Sequence, residues 1–205
     1  MGGRAYPGRG SLPLSCKDAG RADRVRTPSP ASPAYSVTAR LLHWITAAFI
    51  LLMVPLGVII ASEWGGSWQT FLYDLHRSIG ATLIPIIILR LAYRFAHPPL
   101  SLPDHIPAIE RSVAEMAHWI LYTLLILQPL AGWAATSAYP ATIVVFGSFE
   151  LPAILPANRA LSQWLFSVHR WIAIVLICIV GAHVAAAFNH HFVRKDRVLM
   201  RMITG

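Results

Sequence analysis

Nine histidines occur in the sequence, and four of them are spaced so that they could bind two flat metal cofactors. His169 and His183 are 14 residues apart. On an α-helix this spacing places them within about 40° of one face and roughly 21 Å apart along the axis. His43 and His76 lie in two other apolar segments and can supply a partner for each. Two neutral imidazoles are sufficient to hold an iron porphyrin, because the ring supplies the remaining ligands.

The depth of each histidine within its segment predicts the pairs. His43 lies near the start of the first apolar segment, and His183 lies near the end of the last one. If the chain reverses direction with each span, the start of the first segment and the end of the last both face the cytoplasm. His76 and His169 lie at similar distances from the opposite, outer ends. We therefore predict an inner pair, His43 with His183, and an outer pair, His76 with His169, between facing helices of a bundle.

Three alternatives compete with this interpretation. His118, in a further apolar segment, is also on the inner side and competes with His183 for pairing with His43; we favour His183 because of its phase with His169. His118 is then a propionate, quinone or packing contact. Zinc could bind two histidines but requires additional protein or water ligands. A proton relay could use the same histidines without iron, but relays usually include Asp or Glu.

Cationic residues lie beside both predicted pairs. Arg77 follows His76 and Arg170 follows His169. They could pair with haem propionates or form an entrance that attracts an anionic donor to the outer face. On the inner side His190, His191 and Lys195 could contact a propionate, a quinone or another substrate, or could simply anchor the chain at the membrane surface.

The elements that position these residues are predicted to be membrane-spanning helices. The sequence is 56% hydrophobic and only 13% charged, about half the charged share of a soluble domain. The fold class is therefore all-α, an integral membrane four-helix bundle in the lipid bilayer. The helices are predicted at about 36–62, 67–96, 109–136 and 158–192, within one domain covering 36–192. The second is the weakest span, because Arg90 and Arg94 must snorkel from its inner end.

The distribution of basic residues predicts the orientation. The net charge is +8, but Lys and Arg cluster in 4–40, 90–111 and 194–201 and are absent from 63–73 and 137–158. This alternation places both termini in the cytoplasm. It also explains the positive charge without nucleic acid, which we do not expect as a partner.

The ends of the chain are predicted to lie outside the bundle. Residues 1–35 are rich in Pro, Ser, Gly and Arg, contain no apolar secretory segment and are predicted to form a disordered tail. Residues 193–205 form a cytoplasmic C-terminal tail. Cys16 lies in the first tail and Cys178 in an apolar segment, so we expect no disulfide between them. The CxxCH motif of covalently attached haem is absent from the sequence.

Several short motifs together resemble one family, the bacterial cytochrome b561 proteins. The resemblance extends from Tyr35 to the C-terminus and does not cover residues 1–34. Its motifs are His43-Trp44, His76-Arg77-Ser78-Ile79-Gly80, Leu89-Arg90-Leu91, His118, Pro129-Leu130-Ala131-Gly132-Trp133, His169, His183, His190-His191-Phe192 and Lys195-Asp196.

The resemblance implies a four-helix cytochrome of the bacterial inner membrane with two b haems. The ligand histidines of the family map onto the four chosen above. Members are implied to move electrons between a donor at the outer face and quinone, and superoxide oxidation coupled to ubiquinone reduction is an activity found in the family. A rival function is a haem b membrane anchor that conducts electrons for a partner hydrogenase or dehydrogenase, docked at the apolar loop 142–155.

Overall fold

The structure is a computed structural model that describes residues 1–3, 34–98, 100 and 106–205. Its main elements are four long helices: α1 (Val37–Ala61), α2 (Gln69–Ala96), α3 (Ala108–Ala138) and α4 (Arg159–Phe188). A 3₁₀ turn, Gly66–Trp68, leads into α2, and a π-helical turn, Asn189–Val193, continues α4. The described chain ends with a short helix, α5 (Met200–Ile203).

All four long helices are long and apolar enough to cross a membrane. Large apolar side chains cover their outer surfaces; Leu51, Ile88 and Trp171, for example, are each more than half exposed. Such a surface is stable against lipid and unfavourable in water. The predicted four-helix membrane bundle is confirmed, whereas the cytoplasmic placement of both termini stays a prediction.

The bundle interior holds two apolar clusters that connect its helices. One consists of Leu83, Ile87, Leu125 and Leu176 from α2, α3 and α4. The other consists of Leu56, Ile60 and Ile79 from α1 and α2. Both lie among the helices that carry the candidate histidines, so each histidine projects from a packed element rather than from a loop.

The helix ends follow from local chemistry. Ser36 caps α1 by accepting a hydrogen bond from the amide of Ala39, and Asn158 caps α4 by accepting one from Leu161. The largest difference from the predicted bounds is the end of α4, at 188 instead of 192, because the backbone changes there to the π-helical turn. Helices α1, α2 and α3 each contain one proline, Pro55, Pro85 and Pro129, and α4 contains none.

A small hairpin between α3 and α4 adds to the predicted all-helical architecture. Strands β1 (Ile143–Val145) and β2 (Phe149–Leu151) pair in antiparallel register, with Val145 opposite Phe149. Phe146 and Gly147 have φ of 46° and 68°, in the left-handed region, and the amide of Ser148 donates to the carbonyl oxygen of Val145 at 2.9 Å. Segments of three residues are too short to be recognised by alternating hydrophobicity, so the sequence predicted only an apolar loop here.

Several predictions concern residues outside the described part of the chain. The tail 1–35 is described only at 1–3 and 34–35, and Cys16 and His105 also lie outside the described residues. The disorder of the tail and the absence of a Cys16–Cys178 disulfide stay predictions. Cys178 itself is exposed on α4.

Candidate functional site

The structure brings the candidate histidines together at two levels of the bundle. At the outer level the ring centres of His76 on α2 and His169 on α4 are 6.2 Å apart. At the inner level the ring centres of His43 on α1 and His183 on α4 are 6.4 Å apart. Helix α4 therefore contributes one ring to each level, as the 14-residue spacing predicts.

The third inner histidine, His118 on α3, lies close to the same site. Its ring centre is 5.3 Å from that of His183. Its Nδ1 is 2.6 Å from the backbone carbonyl oxygen of Ala114, to which it can donate a hydrogen bond. The inner level is therefore a cluster of three imidazoles, whereas the outer level is a pair.

At the outer level, Gln128 on α3 orients His169. The Nδ1 atom of His169 lies 2.9 Å from the Gln128 carbonyl oxygen, which can only accept a hydrogen bond. The proton of a neutral His169 is therefore on Nδ1, and Nε2 carries the lone pair that a metal needs. The Gln128 side-chain amide lies 3.2 Å from this Nε2 and donates to it.

Two glycines give the outer imidazoles room. A Cβ atom at Gly132 would lie 3.1 Å from Cε1 and 3.2 Å from Nδ1 of His169. A Cβ atom at Gly57 would lie 3.5 Å from Cε1 of His76, an ordinary van der Waals distance. Helix α3 can therefore approach His169 closely only because residue 132 has no side chain.

At the inner level, Arg90 on α2 contacts a candidate ligand directly. Its Nη2 is 2.8 Å from Nδ1 of His43, and because a guanidinium only donates, the imidazole accepts. The same guanidinium lies 5.3 Å from the ring centre of Tyr122. A second arginine, Arg94, lies 5.4 Å from the same ring centre.

The spacing of both predicted pairs fits an iron porphyrin. Metal–imidazole bonds of about 2 Å, with about 1.2 Å from each nitrogen to its ring centre, separate two opposed rings by roughly 6.4 Å. The observed 6.2 Å and 6.4 Å agree with this value. The buried Nδ1 of His76 has no hydrogen-bond partner in the described part of the chain, so this imidazole retains an unused polar atom.

A protein-only metal site has less support. Among residues 1–3, 34–98, 100 and 106–205, no group of three or more His, Cys, Asp or Glu side chains is arranged to hold a metal ion. Two imidazoles alone do not complete the tetrahedral coordination of zinc. A porphyrin, which brings its own nitrogen ligands, requires no further protein donor.

A cavity of about 700 Å³ opens near the outer pair. It lies between the start of α2 and the hairpin, and Arg77 is part of its wall. Asp74 approaches Arg77 to 3.6 Å but is itself largely exposed. Ser78 connects the two walls, accepting from the amide of Phe146 at 3.0 Å and donating to the carbonyl oxygen of Val144 at 3.3 Å. Arg170 is exposed and does not line this cavity.

The inner end of the bundle is closed by the turn after α4. His190 lies on the π-helical turn, and its Nδ1 is 2.5 Å from a carboxylate oxygen of Asp196, whose side chain is 8% exposed. Arg194 donates two hydrogen bonds, of 2.6 and 3.0 Å, to Glu110 at the start of α3, which raises the pKa of the arginine. His191 packs against Phe192, and Lys195 is exposed.

Comparison with known proteins identifies the family. Residues 34–205 match the family model described as prokaryotic cytochrome b561. The chain belongs to this family. Its members carry two haem b groups in the bacterial inner membrane and transfer electrons, so the predicted family, cofactor and location are confirmed.

Individual relatives of the cytochrome b561 family match over most of their length. Cytochrome b561 homolog 2 of Escherichia coli (strain K12) is 31% identical over 171 residues, which cover 82% of this chain and 90% of that protein. A probable superoxide oxidase CybB of Yersinia pestis is 26% identical, with 82% and 95% covered. A cytochrome b562 of Cereibacter sphaeroides is also 26% identical, with 83% and 96% covered.

The sequence alone assigned no functional role to four residues that contact the candidate site or its surroundings. Gln128 contacts His169, and Arg90 contacts His43. Ser78 contacts the hairpin, and Asp196 contacts His190. An arginine within a membrane span is rare enough to mark Arg90 as a functional candidate from sequence alone. The other three depend on backbone geometry that hydrophobic periodicity does not report.

Proposed function

We propose that this cytochrome b561 protein passes electrons from a small donor at the outer face, superoxide or a similar molecule, to ubiquinone at the cytoplasmic face. In this proposal His76 and His169 bind the iron of the outer haem, and His43 and His183 bind the iron of the inner haem. The observation that carries it is the presence of two imidazole pairs, one at each level, with separations of 6.2 and 6.4 Å.

The same geometry favours His43 over His118 as the inner partner of His183. A ring-centre distance of 5.3 Å between His118 and His183 is too short for two opposed bonds of about 2 Å to one iron. The distance of 6.4 Å between His43 and His183 is sufficient. In this assignment His118 lies beside the inner haem as a neighbour that can donate or accept a hydrogen bond.

The chain's own residues determine how each haem would be held. When bound, each haem supplies a one-electron couple. The Gln128 carbonyl keeps the His169 proton on Nδ1, so Nε2 would supply the lone pair that holds the iron. His169 and His183 lie on one helix, and their 14 residues separate the two levels by roughly 21 Å of axial rise. The apolar cluster of Leu83, Ile87, Leu125 and Leu176 lies between the levels and excludes water from the path.

The outer cavity is the proposed entry for the donor. Arg77 places a cation on its wall, beside the helix turn that carries His76, and a cation attracts an anion such as superoxide. A relative at 26% identity is named as a probable superoxide oxidase. Arg170, the exposed residue that follows His169 in the chain, adds positive charge at the outer face.

The His190–Asp196 pair is the proposed proton donor on the inner side. Two superoxide anions each lose one electron and leave as dioxygen, and the quinone takes up two electrons and two protons to become quinol. Asp196 orients the His190 ring through its contact with Nδ1, so that Nε2 can pass a proton to a quinone oxygen as a general acid. Each proton passed to the quinone is replaced from the cytoplasm. His191 and Lys195 are further candidate quinone contacts at this end.

The experiment is a haem measurement combined with a turnover assay on the purified full chain. We expect two b haems per chain in the wild type and one per chain in each of the variants His169→Ala and His183→Ala. Superoxide-dependent reduction of ubiquinone should be lost in both variants. The control is His97→Ala, because His97 stacks on Tyr93 outside both pairs. Two haems retained in either ligand variant would reject the assignment of that histidine.

The second candidate function is an electron conduit for a partner protein. The observation that favours it is the apolar hairpin surface, on which Val144, Phe146 and Phe149 are 43%, 59% and 57% exposed. A partner dehydrogenase or hydrogenase could dock there. Reduction of ubiquinone by superoxide with the purified chain alone would reject this function.

A further inference from the structure

Two arginines and one tyrosine form a cationic cluster beside the inner imidazoles. Arg90 and Arg94 lie one helical turn apart on α2 and approach the ring of Tyr122 on α3, at 5.3 and 5.4 Å from its centre. Tyr122 is 6% exposed. Arg94 also lies 5.7 Å from the ring centre of Trp119. We call Arg90, Arg94 and Tyr122 the inner cationic cluster.

The inner cationic cluster lacks a carboxylate. In the part of the chain that the structure describes, neither guanidinium forms an ion pair; their contacts are with aromatic rings, with the Tyr122 side chain and with His43. Elsewhere among the described residues, ion pairs join Asp74 to Arg77, Asp196 to His190 and Glu110 to Arg194. Two cations held within a membrane span without an anion are costly, and such residues normally face a charged or polar partner.

The contact between Arg90 and His43 indicates where that partner lies. The guanidinium donates to Nδ1 of His43. A histidine that binds iron through Nε2 has its proton on Nδ1, and this nitrogen then cannot accept from an arginine. Ligation therefore turns the guanidinium toward another acceptor in the immediate surroundings of the haem.

We infer that the inner cationic cluster binds the two propionate carboxylates of the inner haem. This inference rests on the proposed ligation of that haem by His43 and His183. Two guanidiniums match two carboxylates in charge, and their planar donor sets suit carboxylate oxygens. The ring centre of Tyr122 lies within 5.4 Å of both guanidiniums, and the tyrosine hydroxyl can donate to the same anions.

The cluster also sets the charge around the inner iron. A cation near a haem stabilises the reduced iron, which carries one positive charge fewer than the oxidised iron. Removing one guanidinium therefore lowers the midpoint potential of the inner haem and leaves that of the outer haem unchanged. The direct signature of a propionate contact is the propionate-bending band in the resonance Raman spectrum, which responds to hydrogen bonding at the carboxylate.

The test compares Arg90→Gln and Arg94→Gln with Arg159→Gln in the purified holoprotein. Arg159 is an exposed arginine at the opposite, outer end of α4, so its variant controls for the loss of one charge. In each cluster variant we expect the equilibrium constant for reduction of one haem to fall about tenfold or more, which lowers its midpoint potential by 59 mV for a one-electron couple. The propionate-bending band should shift as well. The affected haem is the one that His183→Ala lacks. The Arg159→Gln spectrum and potentials should equal those of the wild type.

The outcomes separate this inference from the proposed function. Unchanged potentials and propionate bands in both cluster variants would overturn the inference while leaving two-haem electron transfer intact. A wild-type protein without two haems would overturn the proposed function itself. If Arg90→Gln loses the inner haem, Arg90→Lys decides: recovery of the haem supports a charge contact, and continued loss rejects it.

Discussion

The close approach of α3 to His169 makes residue 132 a sensitive test of the outer site. A Cβ atom there would lie 3.1 Å from Cε1 and 3.2 Å from Nδ1 of His169. These distances are shorter than ordinary carbon contacts of about 3.5–4.0 Å. In Gly132→Ala the imidazole must move by several tenths of an ångström, and this movement strains its hydrogen bond to the Gln128 carbonyl oxygen.

The expected cost follows from overpacking of a well-packed interior. Adding a methyl group at such a site costs about 1–3 kcal/mol. If the strain falls mainly on the ligand geometry, the affinity for the outer haem decreases by about 5-fold to 150-fold, since 1.4 kcal/mol corresponds to a factor of ten. The inner haem is expected to be unaffected, because residue 132 is far from His183 along the bundle.

The matched control is Gly57→Ala. Its added Cβ would lie 3.5 Å from Cε1 of His76, an ordinary distance. It changes the same residue type, near the other outer ligand, without forcing a movement. We therefore expect Gly57→Ala to retain wild-type affinity for both haems.

The assay is haem per chain together with a haem titration of detergent-solubilised, haem-depleted protein. Gly132→Ala should show one site of wild-type affinity and one weakened site, and its optical spectrum should lose intensity from one haem. Equal affinities at both sites of Gly132→Ala would refute the reasoning. So would a loss in Gly57→Ala as large as that in Gly132→Ala.

Three further predictions concern the inner histidines, the proton donor and the outer cavity. His118→Ala should retain two haems, because only His43 has the separation from His183 that one iron needs; a one-haem protein would contradict the inner pairing. Asp196→Asn should slow ubiquinone reduction, measured as quinol formed per haem, about tenfold or more while the haem content stays at two per chain. An unchanged rate would show that His190 is not the proton donor. Arg77→Gln should lower the rate with superoxide and weaken its dependence on ionic strength, measured between low and high salt; an unchanged salt dependence would show that Arg77 does not attract the donor.

The membrane helices could be predicted from sequence because they depend mainly on local properties. In lipid every backbone hydrogen bond must be formed within the helix, so length and apolarity determine a span. The common face of His169 and His183 follows from the helical repeat alone. Pairing them with His43 and His76 required only that successive spans run in opposite directions.

The contacts that orient the imidazoles could not be predicted in the same way. The contact of Arg90 with His43 joins residues 47 positions apart, and that of Gln128 with His169 joins residues 41 positions apart. Each depends on the rotation and depth of two helices relative to one another. The His190–Asp196 contact depends on a π-helical turn, whose backbone differs from the regular helix that hydropathy assumes.

The absence of proline from α4 has a consequence for the rate of electron transfer between the haems. Proline bends a helix and interrupts its hydrogen bonds, and each of the other three spans contains one. The proposed ligands His169 and His183 are both on the one span that is free of such a bend. Electron tunnelling depends steeply on distance, so a regular helix between the two ligands keeps the tunnelling gap constant while the other spans flex. Inserting a single residue between them would rotate one ligand by about 100°, away from its partner imidazole, and would break the alignment of the two levels without removing either histidine.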